Sequence, residues 1–501
     1  MVVSAEHDSL REFLRSTLTD QQRAKVLLSS FTQWEFALAA LTDIAACLHI
    51  MGSEVMLALW SNHTPMHDTG WSVDARVARL LRTHTRDEHV REALIHFGIP
   101  RSDFVAPPIT RWKPAQSIKI SGPMNRSQIS ALEYFGSPMG RAILQVKTLT
   151  DAPVTDRFYW PKRLLRCAAL SYAFVYDQTC ELISQQKVTA LVCYNGRFLH
   201  DRAAAAAAQS LGIPVLYYDN GGTDTAYDLT DSITHDWSQL QGRMLDLYER
   251  WPSRERDALG ASWFEDRMTH SDPSNALFID AQEIGRSIER PQADCLVVYF
   301  SSSGDEIADL ELDWERFIGS QQKALRILAD LCRERPGFKL VVRSHPHKRR
   351  KPKQDVEEWL SAVDSASPDI HLGPNSSIDS YALMKQADIV VTYGSTTGVE
   401  AAYLDRSVIV LGPSAYDELG CATFTGTAKD LSTVLDHPRE RNRQGAIAFG
   451  LMMRRRGFNY QYVEAGSNGE LSLAGYQLGD ATKLAKDFSH LLGRVQRFTL
   501  R

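Results

Sequence analysis

The chain has 501 residues, a formal net charge of −5, 44% hydrophobic residues and 23% charged residues. This length allows about two to three domains, and the weakly acidic balance gives no reason to expect nucleic acid as a partner. Seven scattered cysteines without a C-x-x-C pair favour reduced thiols over disulfides or a zinc site. The N-terminus does not read as a signal peptide, and the longest apolar run, residues 36–51, is broken by Asp43 and too short to span a membrane. We therefore expect a cytoplasmic protein.

The first half of the chain predicts a doubly wound α/β domain. Strands of apolar residues alternate with helical patterns, which is typical of parallel sheets. A leading amphipathic helix is predicted over residues 5–19. The strands are predicted at 25–30, 54–60, 190–194 and 214–218, and the helices at 34–51, 163–185 and 201–211. Residues 101–160 contain several prolines, and we predict no regular element there.

The second half repeats this pattern, with strands at 295–300, 339–343, 389–392 and 407–411. We predict an N-terminal acceptor-binding domain over residues 1–290 and a C-terminal nucleotide-sugar-binding domain over 291–475. A helix within residues 476–501 would return to the N-terminal domain. Two Rossmann-like domains facing a central cleft form the GT-B architecture of glycosyltransferases, which is the fold class that we predict. The fold alone does not fix an activity.

Groups suited to a phosphate follow two strands of the second half. His345 and Pro346 end one strand, and the Gly394-Ser395-Thr396-Thr397 turn opens a helix after another. Helix starts offer unpaired N–H groups and a positive dipole end, and ligands of open α/β sheets bind beyond the strands' carboxyl ends. The alternatives are a histidine that caps a strand end and an ordinary helix N-cap.

Two further groups follow strands of the same domain. Glu400, in the first turns of the helix after Thr397, can accept from ribose hydroxyls, or can be a surface glutamate favoured by the helix dipole. The loop at 301–306, which includes Ser302 and Ser303, can contact the nucleotide or be a plain polar turn.

The first half carries candidate groups for an acceptor. Asp219 ends a strand and can take a proton from an acceptor hydroxyl, although the Asp219-Asn220-Gly221-Gly222 segment also reads as a turn. Asn195 and Arg197 end a neighbouring strand, where Arg197 can hold an anionic sugar. Asp68, with His67, lies in another such loop and is a weaker candidate for acceptor contact.

A run of basic residues, 347–353, follows Pro346 directly. It can attract an anionic donor, an anionic glycan or a phospholipid surface, and the last would bring the protein to the inner face of the membrane. A solvated loop is the alternative.

Three segments of the second half resemble bacterial capsule and lipopolysaccharide glycosyltransferases of the GT-B class, which include transferases of the acidic sugar Kdo from CMP-Kdo. They are Tyr299 to Glu306, Arg343-x-His-Pro346, and Ser377 to Ala401 with its Gly-Ser-Thr-Thr core. Asn195 to Arg197 and Asp219-x-Gly221 are similar to the first domain of that group.

A looser likeness is to bacterial sialyltransferases, which carry an acidic motif ending in Gly, then His-Pro, then Ser-Ser/Thr. It implies Asp219 as base, and it implies that His345, Ser395 and Thr396 bind the CMP phosphate. Asn220 replaces the second acidic residue of that family's motif.

These observations predict a metal-independent glycosyltransferase that needs no cofactor and moves an acidic sugar from a CMP-sugar to a surface-polysaccharide or glycolipid acceptor. The residues predicted to bind the nucleotide are Ser302, Ser303, Arg343, His345, Ser395, Thr396, Thr397 and Glu400. Three alternatives stay open: a UDP-sugar 2-epimerase, a CDP-glycerol-type phosphotransferase, and a non-catalytic subunit of a polysaccharide assembly complex. The sequence does not identify the acceptor, the linkage or the stereochemistry.

Overall fold

The structure is a computed structural model that describes residues 2–18, 24–30, 35–60, 64, 84–105, 112–146, 158–234, 236–272, 275, 279–303, 316–351, 353–438, 442–466 and 470–478. The chain divides into two compact units. The N-terminal unit contains the described residues up to 234 and those from 456 onward, and the C-terminal unit contains the described residues from 236 to 455.

The strands, in chain order, are β1 Lys25–Ser30, β2 Glu54–Leu59, β3 Phe104–Val105, β4 Ala190–Tyr194, β5 Val215–Asn220, β6 Ala226–Thr230, β7 Cys295–Phe300, β8 Phe338–Arg343, β9 Ile370–Leu372, β10 Ile389–Thr392, β11 Ser407–Val410, β12 Thr423–Phe424, β13 Phe458–Asn459, β14 Val463–Ala465, β15 Leu471–Leu473 and β16 Tyr476–Gln477.

The α-helices, in chain order, are α1 Val2–Thr17, α2 Glu35–Ile50, α3 His84–Phe97, α4 Arg126–Ser130, α5 Met139–Leu144, α6 Lys162–Gln186, α7 Leu199–Ser210, α8 Trp237–Arg250, α9 Ser253–Met268, α10 Gln321–Arg333, α11 Lys353–Ala366, α12 Ser380–Gln386, α13 Thr397–Tyr403, α14 Ala428–Asp436 and α15 Gln444–Arg455. Short 3₁₀ helices span Arg101–Asp103 and Pro346–Arg350.

The sheet of the N-terminal unit has the order β3-β2-β1-β4-β5-β6-β13. Strands β1 to β5 pair in parallel, whereas β6 and β13 add on antiparallel. The chain lays down β2 and β3 on one side of β1 and then β4 and β5 on the other. Its direction of winding therefore reverses between β1 and β4.

The sheet of the C-terminal unit has the order β12-β11-β10-β7-β8-β9, and its strand pairs are all parallel. Here β8 and β9 lie on one side of β7, and β10, β11 and β12 lie on the other. The first six strands of each unit thus follow the same doubly wound order, 3-2-1-4-5-6. The reversal in this unit lies between β7 and β10.

Both faces of the C-terminal sheet are buried, which explains why its strands read as continuous apolar runs. Leu296 and Val298 of β7 pack on one face with Trp263 of α9, whereas Val297 and Tyr299 pack on the other face with helices α10 and α11. Alternate residues of one strand therefore supply two cores, as the period of two requires.

A buried carboxylate holds residues 461–463, after the chain has returned to the N-terminal unit. Asp43 of α2 accepts hydrogen bonds from the backbone N–H groups of Gln461, Tyr462 and Val463 at 2.8, 2.7 and 3.0 Å, and from the hydroxyl of Tyr227 at 3.1 Å. Burial raises the pKa of Asp43. Asp43, which interrupts the apolar run of α2, thus accepts hydrogen bonds from a segment more than 400 residues further along the chain.

The α/β class and the two doubly wound units are confirmed, and β1, β4 and β7 have the predicted bounds. The boundary predicted at residue 290 is wrong. Helices α8 and α9 place Met244, Trp263 and Phe264 in a core of the C-terminal sheet, so this unit begins near residue 236. The chain also returns to the N-terminal unit at residue 456 rather than 476.

Two other predictions have different outcomes. The region 101–160, predicted as irregular, contains β3, α4 and α5 in its described part. The predicted final helix lies outside the described residues. Among the helices that the structure describes, none combines the length and the apolar content that crossing a bilayer requires.

Candidate functional site

Three loops leave neighbouring strands at the carboxyl edge of the C-terminal sheet. They begin at Ser301 after β7, at Ser344 after β8 and at Tyr393 after β10, and these strands stand in the order β10-β7-β8. The winding reverses between β7 and β10, and the crevice outside such a reversal is where ligands of doubly wound sheets bind. We call these three loops the C-terminal edge.

Hydrogen bonds connect the three loops to one another. The hydroxyl of Ser302 donates to the carbonyl oxygen of Tyr393 at 2.7 Å, and the backbone N–H of His345 donates to the Ser301 hydroxyl at 2.8 Å. The N–H of Ser302 is taken by Gln321 of α10 at 2.8 Å. The predicted candidates Ser302 and His345 are therefore parts of one bonded edge, with Ser303 next in the chain.

The His345 ring is oriented by its own loop. Its Nδ1 accepts from the backbone N–H of His347 at 3.2 Å, as the N-cap of the 3₁₀ helix at Pro346–Arg350. An Nδ1 that accepts leaves the proton of the neutral ring on Nε2, so that Nε2 is a donor. Ser344 fixes the strand end before it, because its buried hydroxyl meets Trp359 Nε1 at 2.7 Å and His371 Nε2 at 2.9 Å.

The turn after β10 is held by groups on three sides. Gly394 has a φ of +86°, and a Cβ on it would lie 1.7 Å from the carbonyl oxygen of Pro413, so only glycine fits. The N–H of Ser395 donates to Thr392 Oγ1 at 3.0 Å, and the Ser395 carbonyl accepts from the Tyr416 hydroxyl at 2.5 Å.

Several donors of this turn are already used within it. The N–H of Thr397 donates to Ser395 Oγ at 3.4 Å, and the N–H of Gly398 donates to the Ser395 carbonyl at 3.0 Å. Thr396 is the N-cap of α13, and the buried Thr397 hydroxyl has no hydrogen-bond partner in the part of the chain that the structure describes. Helix α13 spans only seven residues. The hydroxyl groups and His345, rather than a long helix dipole, are thus the main donors of the C-terminal edge.

Glu400 is not the surface residue that one of the alternatives assumed. It is 4% exposed, and its Oε1 accepts from Arg267 Nε at 2.9 Å. Arg267 also donates to Asp272 and to Asn275, each at 3.2 Å. The nearby charge of Glu400 raises the pKa of Arg267 against the opposing effect of burial. The carboxylate already has a cationic partner, and its predicted ribose contact stays a prediction.

Arg343 is likewise buried, with 2% of its surface exposed, and its two Nη atoms donate to the carbonyl oxygen of Ser376 at 3.3 and 3.2 Å. Burial lowers its pKa to about 10. The guanidinium group braces the loop after β9, and the predicted nucleotide contact of Arg343 stays a prediction.

The carboxyl edge of β4 and β5 in the N-terminal unit, which we call the N-terminal edge, brings Asp219 and Asn195 together. Asp219 accepts from the Tyr194 hydroxyl at 3.0 Å, from Asn195 Nδ2 at 3.4 Å and from the Asn220 N–H at 2.8 Å. Burial, followed by the charge of Asp219, raises the pKa of Tyr194. The tyrosine therefore remains a protonated donor to the carboxylate.

The other acceptor candidates have different outcomes. Arg197 is anchored close by, since its N–H donates to Asn195 Oδ1 at 3.0 Å and its Nε donates to Gln145 Oε1 at 2.6 Å. Asp68 lies outside the described residues, as do His67 and residues 304–306 of the loop after β7.

Sequence reasoning missed Tyr194, Tyr416 and Arg267. Tyr194 is the last residue of a strand that was predicted correctly, and its position beside Asn195 was the available signal. Tyr416 and Arg267 act on residues 21 and 133 positions away, so that only the fold reveals them.

Several side chains of the basic run contact other residues of the same chain. Lys348 lies 4.4 Å from the Trp359 ring centroid, Arg349 pairs with Asp280, and Lys353 pairs with Glu357 at 3.3 Å. Among the described residues, no group of three or more His, Cys, Asp or Glu side chains is placed to hold a metal ion.

Comparison with solved structures gives distant matches. The β-Kdo 2,4-transferase KpsC of Thermosulfurimonas dismutans is 15% identical over 52% of this chain and 78% of its own, with a TM-score of 0.32. The UDP-GlcNAc 2-epimerase of Neisseria meningitidis, bound to UDP-GlcNAc, is 13% identical over 87% of this chain and 97% of its own, with a TM-score of 0.27.

No curated protein matches the chain. A family model does match part of its sequence. Residues 308–462 match the family model described as capsule polysaccharide biosynthesis protein, and this stretch contains the loops after β8 and β10. The likeness to sialyltransferases stays a prediction. Over residues 308–462 the chain is therefore similar to capsule polysaccharide biosynthesis proteins, as its motifs predicted.

Proposed function

We propose that the protein is a glycosyltransferase of capsular polysaccharide synthesis, which binds a nucleotide-sugar donor at the C-terminal edge. The preferred donor is a CMP-linked acidic sugar such as Kdo or sialic acid, and the acceptor is a surface polysaccharide or a glycolipid. No cofactor is expected. Support for the family comes from the match over residues 308–462.

The observation that carries the proposal is the concentration of hydrogen-bond donors at the reversal between β7 and β10. His345 carries the proton of its neutral ring on Nε2, and Ser303, Ser395, Thr396 and Thr397 bring hydroxyl groups to adjacent loops, whereas the Ser302 hydroxyl donates to Tyr393. Donors that are already oriented stabilise the negative charge that develops on a leaving phosphate. This donor set matches a nucleotide phosphate.

Asp219 is the proposed base of the transfer. Its carboxylate would take the proton of an acceptor hydroxyl while the acceptor oxygen bonds to the sugar carbon and the bond from that carbon to the phosphate oxygen breaks. The nucleotide leaves with the electron pair of that bond. Tyr194 and Asn195 orient the carboxylate, and Arg197 is the proposed contact for an anionic sugar.

A thermal-shift panel with CMP, CDP, UMP, UDP, GDP and ADP tests the donor. A ligand that binds only the folded state raises its apparent stability with the logarithm of ligand concentration. We expect a selective shift with CMP. A selective shift with UDP or GDP would reject the CMP-linked donor, and the absence of any shift would reject the nucleotide site.

A transfer assay separates this function from the others. CMP-Kdo and CMP-sialic acid are incubated with the protein and a capsular oligosaccharide, and the products are followed by mass spectrometry. We expect an oligosaccharide that is heavier by one sugar residue, together with free CMP. Nucleotide binding without any product would instead favour a non-catalytic subunit.

A further inference from the structure

A strained turn in the N-terminal unit holds an aromatic side chain at the surface. Tyr134 and Ser137 pair through both backbone groups, at 3.1 and 3.0 Å. The two residues between them, Phe135 and Gly136, have φ values of +49° and +74°. Asparagine or aspartate followed by glycine is the usual pair for such a turn, and a bulky residue with positive φ is uncommon. The sequence therefore places phenylalanine where a smaller residue would be less strained.

The Phe135 side chain is also exposed to solvent. It retains 52% of its surface. Its ring stacks on Tyr176 of α6, with 5.8 Å between centroids and 11° between planes, and the Tyr134 ring lies nearly perpendicular to it with 5.0 Å between centroids. Tyr176 thus supports the phenyl ring, while about half of the side chain stays open to solvent.

Hydrogen bonds from three directions keep this turn in place. The N–H of Phe135 donates to Gln116 Oε1 at 2.6 Å, and the Ser137 hydroxyl accepts from Tyr172 of α6 at 3.0 Å. The Tyr134 hydroxyl donates to Asp177 at 2.9 Å. A residue in a strained conformation persists when its surroundings fix it in this way, and such positions concentrate at ligand contacts.

The surroundings of the ring indicate which ligand it suits. Gln116, which bonds to the Phe135 N–H, is exposed, and so are Glu133 and Gly136 beside it in the chain, so the residues shown around the ring are polar or glycine. A stable protein interface buries roughly 800 Å² on each partner, which is more than one ring provides. A pyranose has the matching composition, because its C–H face is apolar and its edge carries hydroxyl groups.

We propose that Phe135 is a docking platform for one sugar ring of a glycan chain, with the side chains of Gln116 and Glu133 at its rim. The identification of that glycan as the acceptor polymer rests on the proposed function. The platform itself requires only that the protein binds polysaccharide.

Affinity electrophoresis tests the platform with the full-length protein in gels that contain polysialic acid, hyaluronan or dextran. The variants are Phe135→Gly and Phe135→Asn, because both residues tolerate positive φ and preserve the turn. Leu211→Ala is the matched control, since Leu211 is 44% exposed at the end of α7 in the same unit. We expect at least one polymer to retard the native protein and Leu211→Ala equally, and to retard both Phe135 variants at least fivefold more weakly.

Three results would overturn the proposal. One is native migration unchanged by all three polymers, and another is equal retardation of the native protein and the Phe135 variants. The third is a native dimer that becomes monomeric in Phe135→Gly, because a second copy would then cover the ring. Glycan retention is read without nucleotide, so failure of the CMP thermal shift would reject the proposed function and leave this test intact.

Discussion

The sheets of the two units share one strand order, but their carboxyl edges carry different chemical groups. In each unit the winding reverses beside the first strand, between β1 and β4 or between β7 and β10. Near the first reversal, the N-terminal edge presents a carboxylate, Asp219, that accepts from Tyr194 and Asn195. At the second, the C-terminal edge presents hydroxyl groups and the Nε2 of His345. Topology therefore decides where a site can form, and the residues at the strand ends decide whether a carboxylate or hydrogen-bond donors stand there.

Asp219→Asn tests the N-terminal edge and has the largest expected effect. It removes the proposed base while the amide can still meet Tyr194, so we expect transfer to fall by about 10²- to 10⁴-fold and nucleotide binding to stay native. Initial rates of sugar transfer measure this. Asp231→Asn, on the exposed turn after β6, is the control. Transfer within threefold of the native rate would remove Asp219 as the base.

Arg267→Met tests whether the C-terminal edge depends on the buried pair behind it. The change leaves the Glu400 carboxylate buried without its cation, and we expect a loss of about 3–5 kcal/mol in the free energy of unfolding. Denaturant titration of the C-terminal unit's transition measures it. Breaking the exposed pair of Arg250 with Asp246, by Arg250→Met, should cost about 1 kcal/mol or less. Equal losses in the two variants would contradict the burial argument.

Gly394→Ala tests the turn that carries Ser395. The new Cβ would meet the Pro413 carbonyl at 1.7 Å in addition to the positive φ. Gly285→Ala is the matched control, because Gly285 has a φ of +77° with nothing within 4 Å of its Cβ. We expect the control to lose about 1–2 kcal/mol, the cost of the left-handed conformation, and Gly394→Ala to lose more and to weaken CMP binding. If the two losses in unfolding free energy are the same, the close approach to Pro413 is absent.

His345→Asn has the smallest expected effect. The Asn carbonyl can replace Nδ1 in accepting from the His347 N–H, but nothing replaces Nε2. The loss of one hydrogen bond to a charged phosphate, about 1.5–3 kcal/mol, corresponds to CMP binding that is weaker by about 10- to 100-fold. Calorimetric titration measures the affinity, with an unfolding transition near that of the native protein as the control for the fold.

The sequence predicted the alternation of strands and helices because apolar runs such as residues 295–300 are local signals. It also predicted which residues follow strand ends, and His345, Ser302 and Ser395 do lie on adjacent loops. It did not predict that α8 and α9 belong to the C-terminal unit, since Trp263 and Phe264 can pack on either sheet as far as their local pattern shows. The buried pairing of Glu400 with Arg267 could not be predicted either, because the position of Glu400 on the helix does not reveal a partner 133 residues away.

Calorimetric titration of CMP into the native protein, Asp219→Asn and His345→Asn tests the division between the two edges most directly. The account predicts that Asp219→Asn binds CMP as the native protein does, and that His345→Asn binds it at least tenfold more weakly. Native affinity in His345→Asn, or a comparable loss in Asp219→Asn, would contradict the assignment of the nucleotide to the C-terminal edge.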